Sequence, residues 1–262
     1  PAPVGAPKIA IIGVEGPILE GPGESDPFAS TIGFGSDRVA ESFLSAMRDD
    51  DIQAIVFRID SPGGSPTASD QVWNAMRTAQ ERDIPVVVSM GSVAASGGYY
   101  VAAGADRIVA NRSTITGSIG VYGGKLAIAD GLRRIGINSE SLTIGGAYTN
   151  AFSLSPFSDD QRDTVRQTLQ RTYDRFVGVV AEGRGLTEAD TRGVAEGRVW
   201  SGTDAQARGL VDGLGGYLTA LDVARDLAGI DPGTEVRLIP YPARRRGLEA
   251  LDDVFGASAD SA

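Results

Sequence analysis

Short runs of β-branched and other apolar residues alternate along the chain with segments whose apolar positions recur every three or four residues. The runs predict strands and the periodic segments predict helices, which together indicate an α/β fold with a parallel or mixed sheet. Predicted strands cover residues 8–14, 52–59, 84–89, 107–110, 118–121 and 236–239. Predicted helices cover residues 37–47, 68–80, 96–103, 126–135, 159–182 and 217–227, and a short helix follows Thr187.

Residues 84–105 form an uncharged stretch of 22 residues, about the length of a membrane-spanning helix. Its composition argues against a span, because Gly97 and Gly98 near its centre would each destabilise an isolated helix by about 1 kcal/mol. We expect this stretch to form a buried strand, a sharp turn and a buried helix.

The composition excludes several kinds of active site. The chain contains neither histidine nor cysteine, so it cannot itself supply a Ser-His-Asp triad, a Cys-His pair or a histidine-ligated zinc site. Its formal net charge of −10 disfavours binding to nucleic acids. One short basic run, Arg244 to Arg246, could touch lipid headgroups, but we interpret it as a solvated surface stretch.

Two glycine-rich turns each follow a predicted buried strand and precede a predicted helix. The first spans residues 61–65, and the second contains Ser96 within the sequence AASGGY. In an α/β fold both turns reach the carboxyl edge of the sheet, where ligands bind. Ser96 is then a candidate nucleophile, and the backbone N–H groups of Gly64 and Gly97 could form an oxyanion hole.

Two plainer interpretations of these turns compete with that hypothesis. Taken alone, AASGGY also fits a glycine-rich turn in which the serine only caps the following helix. A phosphate-binding loop is disfavoured, because neither G-x-x-x-x-G-K-[ST] nor G-x-G-x-x-G occurs in the two turns.

Four motifs follow one another in order: SPGGS at 61–65, MGSVAASGGYYVA at 90–102, TGSIGV at 116–121 and GRVWSGTDAQARGLVDGLG at 197–215. Together they resemble the signal peptide peptidase A family, whose members are serine peptidases with a Ser-Lys dyad. The resemblance covers roughly residues 8–227. It implies the Clp protease and crotonase architecture, a spiral of ββα units, with additional C-terminal helices. We expect a peptidase domain over 1–230 and a C-terminal strand with a polar tail over 231–262.

The resemblance also implies roles for individual residues. Ser96 matches the nucleophile, Gly64 and Gly97 match the oxyanion-hole donors, and Ser118 matches the serine that orients the catalytic lysine. Members of this family cleave signal-peptide remnants and other extended apolar peptides, and they need no metal or organic cofactor. The resemblance further implies a homo-oligomer anchored in the inner membrane of the bacterial envelope.

A Ser-Lys peptidase needs a neutral amine, yet a lysine with a pKa of about 10.4 is only about 0.04% neutral at pH 7. The chain has two lysines, Lys8 and Lys125. Lys8 is predicted to be a solvated residue at the start of a strand. Lys125 is a weaker internal candidate for the base, because it does not match the family's lysine segment. In that segment Tyr148 or Thr149 stands in the lysine's place.

Long members of the family carry two related domains, with the serine in the C-terminal domain and the lysine in the N-terminal one. This chain resembles the C-terminal half, and it begins at Pro1 rather than Met. We therefore expect an N-terminal domain of the same protein to supply the lysine, and the isolated chain to be inactive. Two other functions remain open: a crotonase-type acyl-CoA enzyme, and a catalytically silent structural half of the oligomer.

Overall fold

The computed structural model describes residues 5–23, 33–139, 145–146 and 151–242. Tyr148, Thr149 and the basic run at 244–246 lie outside these ranges. Between residues 5 and 242, no described helix is both long enough and apolar enough to cross a membrane.

A mostly parallel sheet of eight strands forms the centre of the molecule. Its main path runs in the order β10 (Arg237–Tyr241), β1 (Lys8–Glu15), β4 (Ile52–Ser61), β5 (Val86–Ala95), β6 (Arg107–Ala110) and β9 (Gly213–Leu214). Two further strands, β7 (Ile115–Gly117) and β8 (Val199–Ser201), continue the sheet beside the end of β5. A separate pair consists of β2 (Ile18–Leu19) and β3 (Phe34–Gly35). The α/β class and its central sheet are thus confirmed.

The helices cover both faces of this sheet. They are α1 (Ser36–Ala46), α2 (Pro66–Gln80), α3 (Gly97–Ala102), α4 (Ala129–Arg134), α5 (Asp159–Arg184), α6 (Glu188–Val194), α7 (Gly202–Ala207) and α8 (Tyr217–Leu227). Side chains alternate across β4, so Phe57 and Ile59 join the core under α1, α2 and α3, whereas Val56 packs toward α8. A strand covered on both faces explains the continuous apolar runs in the sequence.

Several predicted boundaries change in the structure. The strand predicted at 118–121 is wrong, because β7 ends at Gly117 and Ser118 turns the chain with a φ of +50°. β5 extends to Ala95, well beyond the predicted end at residue 89, since its small residues still pair with β7. The strand predicted at 236–239 is β10, which joins the edge of the main sheet beside β1.

Phe57 tests how strongly the core stabilises this sheet. Its ring is fully buried and meets Phe43 edge to face at a centroid distance of 5.2 Å. We expect Phe57→Ala to lower the free energy of unfolding by about 3–5 kcal/mol, because it leaves a cavity in the core. Urea titration checks this. The control Tyr122→Ala, which removes a ring that is 97% exposed, should change stability by less than about 0.5 kcal/mol; equal losses would contradict the assignment of the core.

Candidate active site

Ser96 lies between the last residue of β5 and the first residue of α3. Its backbone has a φ of +52° and a ψ of −124°, a conformation that costs a residue other than glycine about 1–3 kcal/mol. The Ser96 N–H donates to the carbonyl of Gly117 at 3.0 Å, and the Ser96 carbonyl accepts from the amides of Tyr99 and Tyr100 at 2.9 Å. These hydrogen bonds hold the strained turn in place.

The turn after β4 is fixed just as firmly. The Gly63 N–H donates to the hydroxyl of Ser61 at 3.1 Å, and the Gly63 carbonyl accepts from Ile18 at 3.0 Å. The Ser65 N–H donates to the carbonyl of Ile18 at 2.9 Å. Gly64 sits between these two bonds and pairs with Ile18 as in a parallel ladder, so its own N–H points away from Ile18.

The two turns touch each other at their glycines. A Cβ atom at Gly63, whose φ is +104°, would lie 2.6 Å from the Gly97 nitrogen and 2.7 Å from the Ser96 Cβ. A Cβ atom at Gly97 would lie 2.6 Å from the Ser69 Oγ and 3.1 Å from the Gly64 nitrogen. Neither the Gly64 nor the Gly97 N–H has a hydrogen-bond acceptor within the described ranges. Two unpaired amides therefore lie together beside Ser96.

A cleft of about 920 Å³ opens over these groups. Ser96, Gly64, Gly97 and Ser118 all line it, so the structure brings together four of the five site residues singled out from the sequence. The other lining residues come from the loop after β1, the turn after β4, α2, α3, the segment after β7, α5 and the loop before β8: Pro17, Pro62, Gly63, Pro66, Ser69, Tyr100, Gly120, Val121, Tyr122, Thr172, Tyr173, Phe176, Glu196 and Gly197. Over the described parts of the chain, no group of three or more acidic side chains lies close enough to hold a metal ion.

Backbone strain is concentrated at this cleft. Four described residues other than glycine have a positive φ, and three of them, Ser96, Ser118 and Glu196, line the cleft. The Ser118 N–H donates to the carbonyl of Arg198 at 2.7 Å, which joins the segment of Glu196 to that of Ser118. Sequence reasoning missed Glu196, because nothing in a single sequence marks a glutamate for a left-handed backbone.

Lys8 lies far from the cleft. It pairs with Ile52 at the amino end of β4, whereas the cleft lies at the carboxyl end, roughly 30 Å away at about 3.3 Å per residue. Its ammonium forms ion pairs with Asp51 at 2.8 Å and Asp49 at 3.0 Å. The hydrogen bonds to Asp51 and then Asp49 raise the pKa of Lys8, so it holds its proton more firmly. The expectation that Lys8 is simply solvated is therefore corrected.

Lys125 closely follows residues 120–122, which line the cleft, but does not line it itself. Its ammonium donates to the carbonyl of Ala151 and lies 4.4 Å from the centre of the Phe157 ring. It is therefore the one site residue from the sequence analysis that the structure does not bring to Ser96.

The comparison with known proteins identifies peptidase relatives. The profile of Peptidase family S49 matches residues 78–231, and that of Clp protease matches residues 34–116. Protease 4 of Haemophilus influenzae is 36% identical over 231 residues, which is 88% of this chain and 36% of that protein. The chloroplastic serine protease SPPA of Arabidopsis thaliana is 35% identical over 258 residues, 97% of this chain and 37% of that protein.

A shorter relative is similar over most of its length. The protease candidate slr0021 of Synechocystis is 33% identical over 234 residues, 88% of this chain and 83% of that protein. The chain thus spans about a third of Protease 4 and SPPA but most of slr0021. The Clp protease match also confirms the Clp-like architecture expected from the sequence motifs.

The strain at Ser96 can be measured as a difference in stability. We expect Ser96→Gly to be more stable than Ser96→Ala by about 1 kcal/mol, because only glycine adopts a positive φ without steric cost. Urea titration of both variants gives this difference. At Ser92, an exposed residue of β5 that lacks a positive φ, the alanine variant should instead be the more stable of the two. A Ser96→Ala variant that is at least as stable as Ser96→Gly would contradict the strained turn.

Proposed function

The chain belongs to peptidase family S49, and on that premise we propose that it is the nucleophile-bearing part of a serine endopeptidase. In this proposal the Ser96 Oγ attacks the carbonyl carbon of a peptide bond, and the carbonyl oxygen takes up negative charge. The N–H groups of Gly64 and Gly97 hydrogen-bond to that oxygen. A lysine amine takes the proton of Ser96 and gives it to the leaving amine, and water then hydrolyses the acyl-enzyme.

One observation carries this proposal: a strained serine and two backbone amides, which have no acceptor among the described residues, line a single cleft. A serine that only capped a helix would not require such a backbone. Amides fixed by the surrounding turns need no reorganisation when charge develops on the oxygen. Each such donor is worth about 2.7–4 kcal/mol of transition-state stabilisation.

We propose that the proton acceptor is a lysine from an N-terminal domain of the same protein. Lys8 is engaged by two carboxylates at the far edge of the sheet, and Lys125 does not line the cleft. Lowering a lysine pKa from about 10.4 to about 7 requires about 4.6 kcal/mol, which burial against this cleft would supply. Ser118, whose half-buried side chain lines the same cleft, would orient the amine.

The proposed substrates are extended apolar peptides, including signal-peptide remnants. The walls of the cleft support this, because they carry the side chains of Tyr100, Val121, Tyr173 and Phe176. The same proposal includes a homo-oligomer held at the inner membrane of the bacterial envelope through parts of the protein other than this chain. Without the lysine-bearing domain the chain is expected to be inactive.

Reaction with a fluorophosphonate tests the nucleophile. In the protein made from the complete gene, we expect the reagent to modify Ser96, as located by peptide mass spectrometry. Ser96→Ala should abolish both labelling and peptide cleavage, whereas Ser92→Ala, a change at an exposed serine of the same strand, should abolish neither. An unmodified Ser96 beside a control peptidase that reacts would favour a silent structural half. Micromolar binding of coenzyme A, measured by calorimetry, would favour the crotonase alternative.

Lys125→Ala tests the origin of the base. We expect peptide cleavage by the same protein to stay within about threefold of wild type, because a general base contributes about 10²–10⁴-fold and Lys125 lies outside the cleft lining. Steady-state hydrolysis of a fluorogenic peptide measures this. A loss of about three orders of magnitude, with the fold intact, would identify Lys125 as the base and remove the need for another domain.

A further inference from the structure

A polar cluster lies behind one wall of the cleft, where α2, α3 and α5 meet. The Asp70 cluster consists of Asp70 on α2, Tyr100 on α3 and Arg175 on α5. The Tyr100 hydroxyl donates to the Asp70 Oδ1, and the Arg175 Nη2 donates to the same oxygen at 3.1 Å. The guanidinium of Arg175 also lies 5.0 Å from the ring centre of Trp73, one turn along α2 from Asp70. One carboxylate therefore joins three helices.

Tyr100 connects this cluster to the proposed nucleophile. Its side chain is only 5% exposed, and it lines the cleft. Its N–H donates to the carbonyl of Ser96, so its backbone is tied to the strained turn. Its ring lies 5.0 Å from that of Phe176, an α5 residue that also lines the cleft. Tyr100 thus contacts both the turn that holds Ser96 and the helix that forms the wall.

Helix α5 changes from exposed to buried near the cleft. Its first half is largely exposed, with Val165 its one buried residue before Phe176. The wall residues Thr172, Tyr173 and Phe176 lie where this exposed half meets the buried half. Arg192 pairs with Asp174 at 2.8 Å, but this bond ties α5 to α6 and not to the helix after Ser96.

The chemistry of the Asp70 cluster keeps the hydrogen bonds of Tyr100 and Arg175 to Asp70 formed. Burial, followed by the hydrogen bond to Asp70, raises the pKa of Tyr100, so its hydroxyl stays protonated and remains a donor. Arg175 is charged at any working pH, and its planar group combines a hydrogen bond to Asp70 with a cation–π contact to Trp73.

We propose that Tyr100, acting through Asp70 and Arg175, is a positioning residue that sets the distance between the α5 wall of the cleft and Ser96. This inference rests on the proposed peptidase function. Loss of the cluster lets the wall shift and weakens the binding of peptides that fill the cleft. It leaves Ser96 and the amides of Gly64 and Gly97 in place, because those groups are held by the two turns.

The adjacent tyrosine offers a matched control. Tyr99 is fully buried on the same helix, and its hydroxyl donates to the carbonyl of Leu210 at 2.8 Å, but it does not line the cleft. Tyr100→Phe and Tyr99→Phe each remove one buried hydroxyl and keep the ring. In the protein from the complete gene, we expect Tyr100→Phe to raise KM for a long apolar peptide about tenfold, with kcat within about threefold. Tyr99→Phe should change neither, although both variants lose thermal stability.

Two further measurements separate the possible failures. The rate of fluorophosphonate labelling at Ser96 should be the same in Tyr100→Phe and Tyr99→Phe, because this small reagent does not need contact with the α5 wall of the cleft. Asp70→Asn, which keeps an oxygen acceptor for Tyr100, should raise KM less than Asp70→Ala. If wild type is neither labelled nor active, the proposed function itself fails. If wild type is active and Tyr100→Phe has the same KM as Tyr99→Phe, only the positioning role fails. If Tyr100→Phe does not fold, the KM values of Asp70→Asn and Asp70→Ala are compared instead, and equal values would contradict the positioning role.

Discussion

The contact between the Gly63 and Gly97 backbones is the constraint on which the site depends. The register between β4 and β5 shifts after Ile59, so that Ser61 comes to lie opposite Ala94 and both strands end at the same height. The turns that follow then pass so close to each other that a Cβ atom at Gly63 would lie 2.6 Å from the Gly97 nitrogen. Glycine on both sides of this contact lets two free amides face one cleft. Any residue with a Cβ atom at either position would push the turns apart and separate the amides.

The core supplies the rigidity that this arrangement needs. Ser96 holds an unfavourable backbone because Ala94 and Ala95 are buried before it and α3 is buried throughout after it. The strain is therefore stored in a segment that cannot relax without disturbing packed residues on both sides of the sheet. The Asp70 cluster lies next to this segment, and its single carboxylate accepts hydrogen bonds from α3 and α5 close to the point where the exposed half of α5 becomes buried.

Much of the fold and part of the site could be predicted from sequence, because long apolar runs and glycine-rich turns are local signals. The turn at 61–65 and the turn at Ser96 are both predicted at the carboxyl edge of the sheet, and there the structure has them. Features that depend on distant residues were missed. The bond between Arg175 and Asp70 joins residues 105 positions apart, and the left-handed backbone of Glu196 depends on pairing with the segment after β7. Strands of two or three residues, such as β8, are too short to show a periodicity.

In the proposed reaction the amides of Gly64 and Gly97 bind the oxygen that becomes charged when Ser96 attacks. A crystal structure of the complete protein with a peptide boronate, whose boron forms a tetrahedral adduct with an attacking hydroxyl, tests it most directly. We expect a bond from boron to the Ser96 Oγ and one boronate oxygen about 2.7–3.1 Å from the nitrogens of both Gly64 and Gly97. An adduct at another residue, or a boronate oxygen that faces solvent while both amides remain unbound, would contradict it.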